Sequence, residues 1–438
     1  MSSSSRKIDR MEAIFDHEGI VANAGLILAA TLMARLGLET LIRRWVWTGS
    51  PNPGRKVLTL VAAMMAGATH IDHVNIVRAG ATRAVLPFTV MAPSTIGIFL
   101  RSFTFGHVRQ LDAVLSRTLA KAWSLGVGPG HEALVVDLDS TICEVHGNKK
   151  HGAAYGYTKK LGYHPLLATR AGTGEVLFSR MRKGSAGSSR GIIRFVDELV
   201  AIIKGAGATG PITVRADSGF WSGDLIRRLN KHGVAWSITV TNHPSIHKTI
   251  AAIPETDWVD IDYTLGGRAQ VAETLHTMGG RTKTKQHSVR LIVRRTRLTN
   301  PAQAALWPNW RHHCFITNTT TAAVPADQFH REHAVVELAI RDLKEGAGAE
   351  HIPSGHYGAN AAWFACAVLA HNLGTWTDLI AHTPPTTNRT RRTRLIALAA
   401  IIVNRSGQHT LRFPARWPWA QQFHHTLTAL RALPQPSG

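Results

Sequence analysis

From Ala133 to Thr241 the chain switches repeatedly between two hydrophobic periods, and this alternation restricts the fold more than any other feature. "ALVVDLDST" is a β-branched run. "YHPLLATRA" and "GEVLFSRMRKG" read as two further strands, joined by a glycine-containing turn at Ala171–Gly174. "SSRGIIRFVDELVAIIKGA" reads as a helix capped by Ser188 or Ser189. "PITVRADS" is then a strand, "WSGDLIRRLNKHG" a helix and "AWSITVT" a strand. Three strands followed by alternating helices and strands predict an α/β domain built on a mixed sheet.

The flanks have different patterns. Gly19 to Trp123 reads helical, with Leu26, Ile27, Ala30, Met33 and Ala34 at helical spacing. A second helix is expected from Lys56 to Gly67. Two short ones follow from Ser94, taken as an N-cap, with a turn near Gly106. Short helices in a basic region fit a DNA-binding module or a plain helical bundle. Gly126–Glu132 marks a linker. Residues 243–321 read as a β-rich insertion, followed by helices over 326–345 and 360–381 and an Arg-rich tail that ends loosely. The expected division is therefore 1–125, an all-helical N-terminal region, DNA-binding on the first of those readings; 130–382, the α/β domain with its insertion; and 383–438, a basic C-terminal tail.

Three acidic positions stand out. Asp137 and Asp139 lie two apart in a strand and so share a face. Two carboxylates on one face repel unless a cation compensates them, or unless the strand runs out into a turn there. Asp217 ends another β-run, where Asp-Ser-Gly is also ordinary turn chemistry. On the late helix, His330, His333, Glu337 and Lys344 fall within a stripe about 60° wide at about 100° per residue. Their neighbours are mostly apolar, so the helix is expected to be largely buried and the stripe to face a site. Three carboxylates suit two-metal phosphodiester chemistry, because hard oxygen ligands hold paired Mg²⁺ ions.

Charge points the same way. Fifty Lys and Arg against 28 Asp and Glu give a formal charge of +22. Such a balance calls for a polyanionic partner, nucleic acid or an anionic membrane surface. The longest apolar stretch, Ile20 to Leu38, is interrupted by Asn23 and Arg35 and falls short of a spanning helix. The polar start of the chain lacks the apolar region of a signal peptide. Cys143, Cys314 and Cys366 form neither a zinc-type spacing nor a disulfide framework, so a reduced, cytoplasmic protein is expected.

The order of these parts resembles the RNase-H-like DDE transposases of bacterial insertion sequences. "DLDST" looks like the first motif of that family, with Asp139, and "RADSGF" like the second, with Asp217. The helix resembles the Y-x2-R-x3-E-x6-K signature, with Glu337 and Lys344 matching and His330 and His333 standing at the Tyr and Arg positions. "APSTIGIFLRSFTFGHVRQLDAV", "GAAYGYTKKLGYHPLLA", "HAVVELAIRDLKEG" and "HIPSGHYGANAAW" are similar to the insertion-sequence thirteen-eighty group. The resemblance implies an RNase-H-like catalytic domain with a β-rich insertion. It also implies Asp139, Asp217 and Glu337 as ligands of two Mg²⁺, with Mn²⁺ as the alternative ion. Asp137, His330, His333 and Lys344 would support the site or contact DNA. The partners implied are double-stranded DNA, as terminal inverted repeats and target, and a second copy of the chain in the synaptic complex. Such a protein works at the bacterial nucleoid.

Two rival readings compete. "VVDLDST" also satisfies the D-x-D-x-T motif of haloacid-dehalogenase-type phosphatases, with Asp137 as nucleophile. A non-catalytic DNA-binding protein would account for the charge alone. Trp258, Trp307 and Trp310 suit base stacking or core packing. The Arg389–Arg394 cluster suits phosphate contact or a solvated surface.

Overall fold

A computed structural model of the chain describes residues 8–436 except 148, 242, 264–267, 280–286 and 298–309. Trp307 lies outside the described residues. The N-terminal region contains helices α1 (Leu26–Arg35), α2 (Leu38–Trp45), α3 (Pro53–Met65), α4 (Pro93–Arg101) and α5 (Phe105–Ala122). Pro93, not Ser94, opens α4: it takes the first helical position, where its missing N–H costs nothing. The next turn lies before Gly106, because Thr104 and His107 form a capping box that starts α5.

Nine strands of the described residues form one sheet. Its first five are β1 (Leu134–Ser140), β2 (Leu166–Arg170), β3 (Val176–Arg180), β4 (Ile212–Ala216) and β5 (Ala235–Thr239). They lie in the order β3-β2-β1-β4-β5. β1 runs antiparallel to β2 and parallel to β4, and β4 runs parallel to β5. This is the mixed sheet that the alternating pattern predicts, in the RNase-H-like arrangement that the resemblance implies. α6 (Ile192–Gly205) and α7 (Gly223–Lys231) make the crossovers. Gly191, in the left-handed region at φ 78°, caps α6 in place of the expected serines.

After α8 (Pro244–Ala251), the insertion contributes β6 (Val259–Ile261), β7 (Ala269–Met278), β8 (His287–Arg297) and β9 (Trp310–Thr317). The insertion is continuous with the central sheet, since β9 pairs antiparallel with β5 through Ile316↔Ile238. Trp258 and Trp310 clamp the Arg295 guanidinium, at 4.1 and 4.5 Å from their ring centroids, which makes them packing partners.

The late helix is not one continuous α-helix. It runs as α9 (Ala323–Arg331), a 3-10 turn (Glu332–Val335), α10 (Val336–Arg341) and a π turn (Asp342–Gly346). Nor is it largely buried: Val335 and Leu338 are 55% and 52% exposed.

α11 (Tyr357–Ile380) is buried nearly all round, as an apolar helix without a polar face must be. It packs on α1, α3, α4 and α5 and reaches β3. One hydrophobic core therefore runs from Val21 through the sheet to Leu430. Asn372 of α11 bonds both the N–H and the C=O of Val176 (2.9 and 2.8 Å), satisfying backbone groups at the sheet edge.

The basic tail is folded back onto the molecule. α12 (Asn388–Arg391) leads to a hairpin, Ala400–Arg405 with Gln408–Arg412, that pairs with Ile20–Val21, and α13 (Ala420–Ala432) packs on α1 and α11. Arg391 is buried against Asp378 at 2.7 Å, and Arg392 donates to the carbonyls of Met64 and Met65. These two members of the Arg389–Arg394 cluster are engaged inside the protein, whereas Arg389 is exposed. Among the described residues no helix is long and apolar enough to cross a membrane.

Candidate active site

β1 and β4 run parallel and end side by side, and side chains of the late helix share a cleft with the residues at those ends. A cleft of about 410 Å³ opens there, lined by Asp139, Ser140, Tyr157, Asp217, Glu337, Arg341 and Lys344 among others. Strand ends suit such a site, because the backbone leaves its ladder while the side chains stay anchored. Asp139 Oδ1 accepts from the N–H of Ser140 at 2.6 Å. Asp217 Oδ1 accepts from Gly219 at 3.0 Å and caps a short 3-10 turn. Glu337 enters from α10.

The electrostatics of the cleft are those of uncompensated carboxylates. Burial pushes the Asp139 carboxyl up to about 6, and the charges of Asp217 and Glu337 add to the push, against the Ser140 bond and His333. Desolvation raises Asp217 as well. Among the described residues no three His, Cys, Asp or Glu side chains converge closely enough to chelate an ion as they stand. The acids thus face a common cleft without forming a coordination sphere, and their hard oxygens are the donors that a magnesium-type cation takes.

Asp137 is in a different position. It is 2% exposed and lies opposite Arg215 in the β1–β4 register. Arg215 donates to both its oxygens, at 2.7 and 3.0 Å, and His333 Nδ1 lies 2.8 Å from Oδ1. Arg215 also donates to the Phe329 carbonyl at 2.6 Å, tying the late helix to the sheet. A carboxylate buried and doubly bonded in this way is not available as a phosphatase nucleophile, which removes the D-x-D-x-T reading.

The predicted stripe is divided. Glu337 and Lys344 share the cleft, and Lys344 Nζ also lies 3.4 Å from Glu350. His333 stands behind them on Asp137. His330 is turned into the sheet, within bonding distance of Ser237 and Thr239 (2.7 and 2.9 Å) and stacked on Phe315. The physical cause is the intervening 3-10 turn, at about 120° per residue, which breaks the 100° phase that a continuous α-helix would keep.

Against known families, the chain matches the model described as "Transposase DDE domain group 1" over residues 3–435. The chain belongs to this DDE transposase family. No curated protein matches it. Among solved structures, it is similar to a piggyBac transposase synaptic complex with hairpin DNA. That likeness has a TM-score of 0.47 and 11% identity, over 86% of this chain and 79% of that one.

Sequence reasoning missed two parts of this candidate site. Arg215 had a signal: "RAD" repeats the spacing of "DLD", so that parallel strands in register set Arg215 against Asp137. Ser140 is bonded to Asp139 through its N–H, and its hydroxyl lies 2.9 Å from His164 Nε2 and 3.3 Å from Ser188 Oγ. These partners are distant in sequence and left no local signal.

Proposed function

We propose that this transposase, of the insertion-sequence thirteen-eighty group in bacteria, binds the ends of its element, cuts the DNA there and joins the freed ends to target DNA. Asp139, Asp217 and Glu337 would hold two Mg²⁺, or Mn²⁺. What carries the reading is that carboxylates from three separate segments line one cleft whose rim carries Arg341 and Lys344. Bound metal supplies Lewis-acid activation of the attacking oxygen and charge stabilisation at the leaving one.

The protein's own groups have separable tasks. Lys344 and Arg341 attract the phosphate backbone that the acids alone would repel. Asp137, fixed by Arg215, holds His333 behind the acids, where its charge opposes the rise in Asp139. Water attacks the phosphodiester and displaces the 3′ oxygen, and the freed 3′-OH then attacks target phosphorus with loss of the next 3′ oxygen. Synapsis of two ends calls for a dimer on DNA, and the work is done at the nucleoid.

The test is cleavage of a labelled duplex carrying the element's own end, with Mg²⁺, by wild type and Glu337→Gln. The substitution keeps the shape and removes the charge. The expected result is a variant that binds and does not cut. A variant that cuts like wild type removes Glu337 from the metal set.

A further inference from the structure

A second cavity, of about 310 Å³, lies beyond the loop that follows β3 and is lined by Arg180, Arg182, Lys183, Arg190, Arg194 and Tyr357 among others. Two of these cations already have a carboxylate partner: Arg180 and Arg194 bond Glu198 at 2.7 and 2.9 Å. Arg182 is not. It is 9% exposed, and the partners of its Nε and Nη1 are all backbone carbonyls, of His164, Gly187, Ser188 and Arg190, at 2.9–3.0 Å. Its Nη2 has no hydrogen-bond partner. Among the described residues it has no carboxylate partner, and neither do Lys183 and Arg190, both exposed beside it. A buried guanidinium with neutral partners, next to a like charge, is costly unless an anion completes it. Burial draws its proton affinity down to about 10, and the charge of Arg190 adds to the fall.

We propose that this cavity binds a phosphate group, with Arg182 as the buried charge and Lys183 and Arg190 as the gate. Guanidinium forks match phosphate oxygens in geometry as well as in charge. The cavity is also coupled to the cleft. Arg182 holds the carbonyls of His164 and Ser188, and both of those side chains reach Ser140, the residue that bonds Asp139. The phosphate is therefore assigned to the backbone of the DNA strand whose scissile bond lies at Asp139, an assignment that rests on the proposed function.

The experiment uses the full chain, a Lys183→Ala/Arg190→Ala variant, and Arg405→Ala as an exposed control. Both gate residues are exposed, and the Arg190 carbonyl that Arg182 uses is retained, so the variant is expected to melt like wild type. Inorganic phosphate is titrated by calorimetry, and binding of a fluorescent duplex is followed across salt concentrations. Wild type and the control are expected to bind phosphate, and the double variant to bind it at least about tenfold more weakly. Its duplex salt slope should fall by about 0.9 for each DNA phosphate that is no longer neutralised. Loss of phosphate binding with an unchanged salt slope overturns the DNA assignment and leaves free phosphate as the ligand. Equal phosphate binding by all three proteins, or none by any, overturns the site. Phosphate binding is read without cleavage, so failure of the Glu337→Gln test leaves this result standing.

Discussion

Asp137 and Asp139 lie two residues apart on one face of one strand, yet they belong to two electrostatic regions. Asp137 sits in a closed cluster with Arg215 and His333, its charge neutralised by the fold. Asp139 opens on a cleft shared with Asp217, Glu337 and Glu345, and burial, with the charges of Asp217 and Glu337, raises its proton affinity. The difference follows from what each strand position faces. Opposite Asp137 the parallel neighbour supplies an arginine, whereas β4 pairs with β1 only as far as Leu138↔Ala216, so Asp139 has no β4 partner. A carboxylate with a built-in cation stabilises a fold; one without is open to an external cation.

The contrast can be broken by substitution. Asp139→Asn should leave the fold intact and reduce Mg²⁺-dependent DNA cleavage by about 10³-fold or more, the loss of several kcal/mol of charge stabilisation. Single-turnover cleavage at saturating DNA measures it. Asp137→Ala should do the reverse in kind. Leaving Arg215 buried without its closer carboxylate, with only the exposed Glu332 at 3.4 Å remaining, costs about 3 kcal/mol, read as a lower urea midpoint. If Asp137→Ala unfolds no earlier than Asp139→Asn, the division into a structural and a chemical aspartate is wrong.

Lys344→Ala sharpens the cleft side of the comparison. It should weaken duplex binding and lower the salt slope by about 1, with thermal stability little changed. His330 sharpens the closed side. Burial holds its imidazole down to about 3, so the folded chain refuses a proton that the unfolded chain accepts near 6.5. Its contribution to stability is therefore full above about pH 6.5 and is lost progressively as the pH falls toward 3. His330→Gln keeps hydrogen-bonding groups for Ser237 and Thr239 and should flatten that part of the acid-unfolding profile. An unchanged profile would place the sensitivity elsewhere. The smallest effect is expected at exposed Leu338, where Leu338→Ala should alter stability by about 0.5 kcal/mol or less.

Much of this was legible in the sequence by itself. Hydrophobic period is a local property, so the five strands of the central sheet, its crossover helices and the strands of the insertion could be read from neighbouring residues. The same is true of Asp139 and Asp217 at strand ends and of Glu337 and Lys344 on a late helix. Tertiary structure alone decided the rest, because it depends on register and helical phase between distant segments. Pairing of β1 with β4 put Arg215 on Asp137. A 3-10 turn swung His330 away from Glu337 and into the sheet. β9 joined the insertion to β5, and α11 drew the N-terminal helices and the basic tail into one core. Arg391 and Arg392 in that tail show the limit most clearly: arginines that read in sequence as surface charge or phosphate ligands are buried and half-buried, because the Asp378 carboxylate met the first and carbonyls distant in the chain met the second.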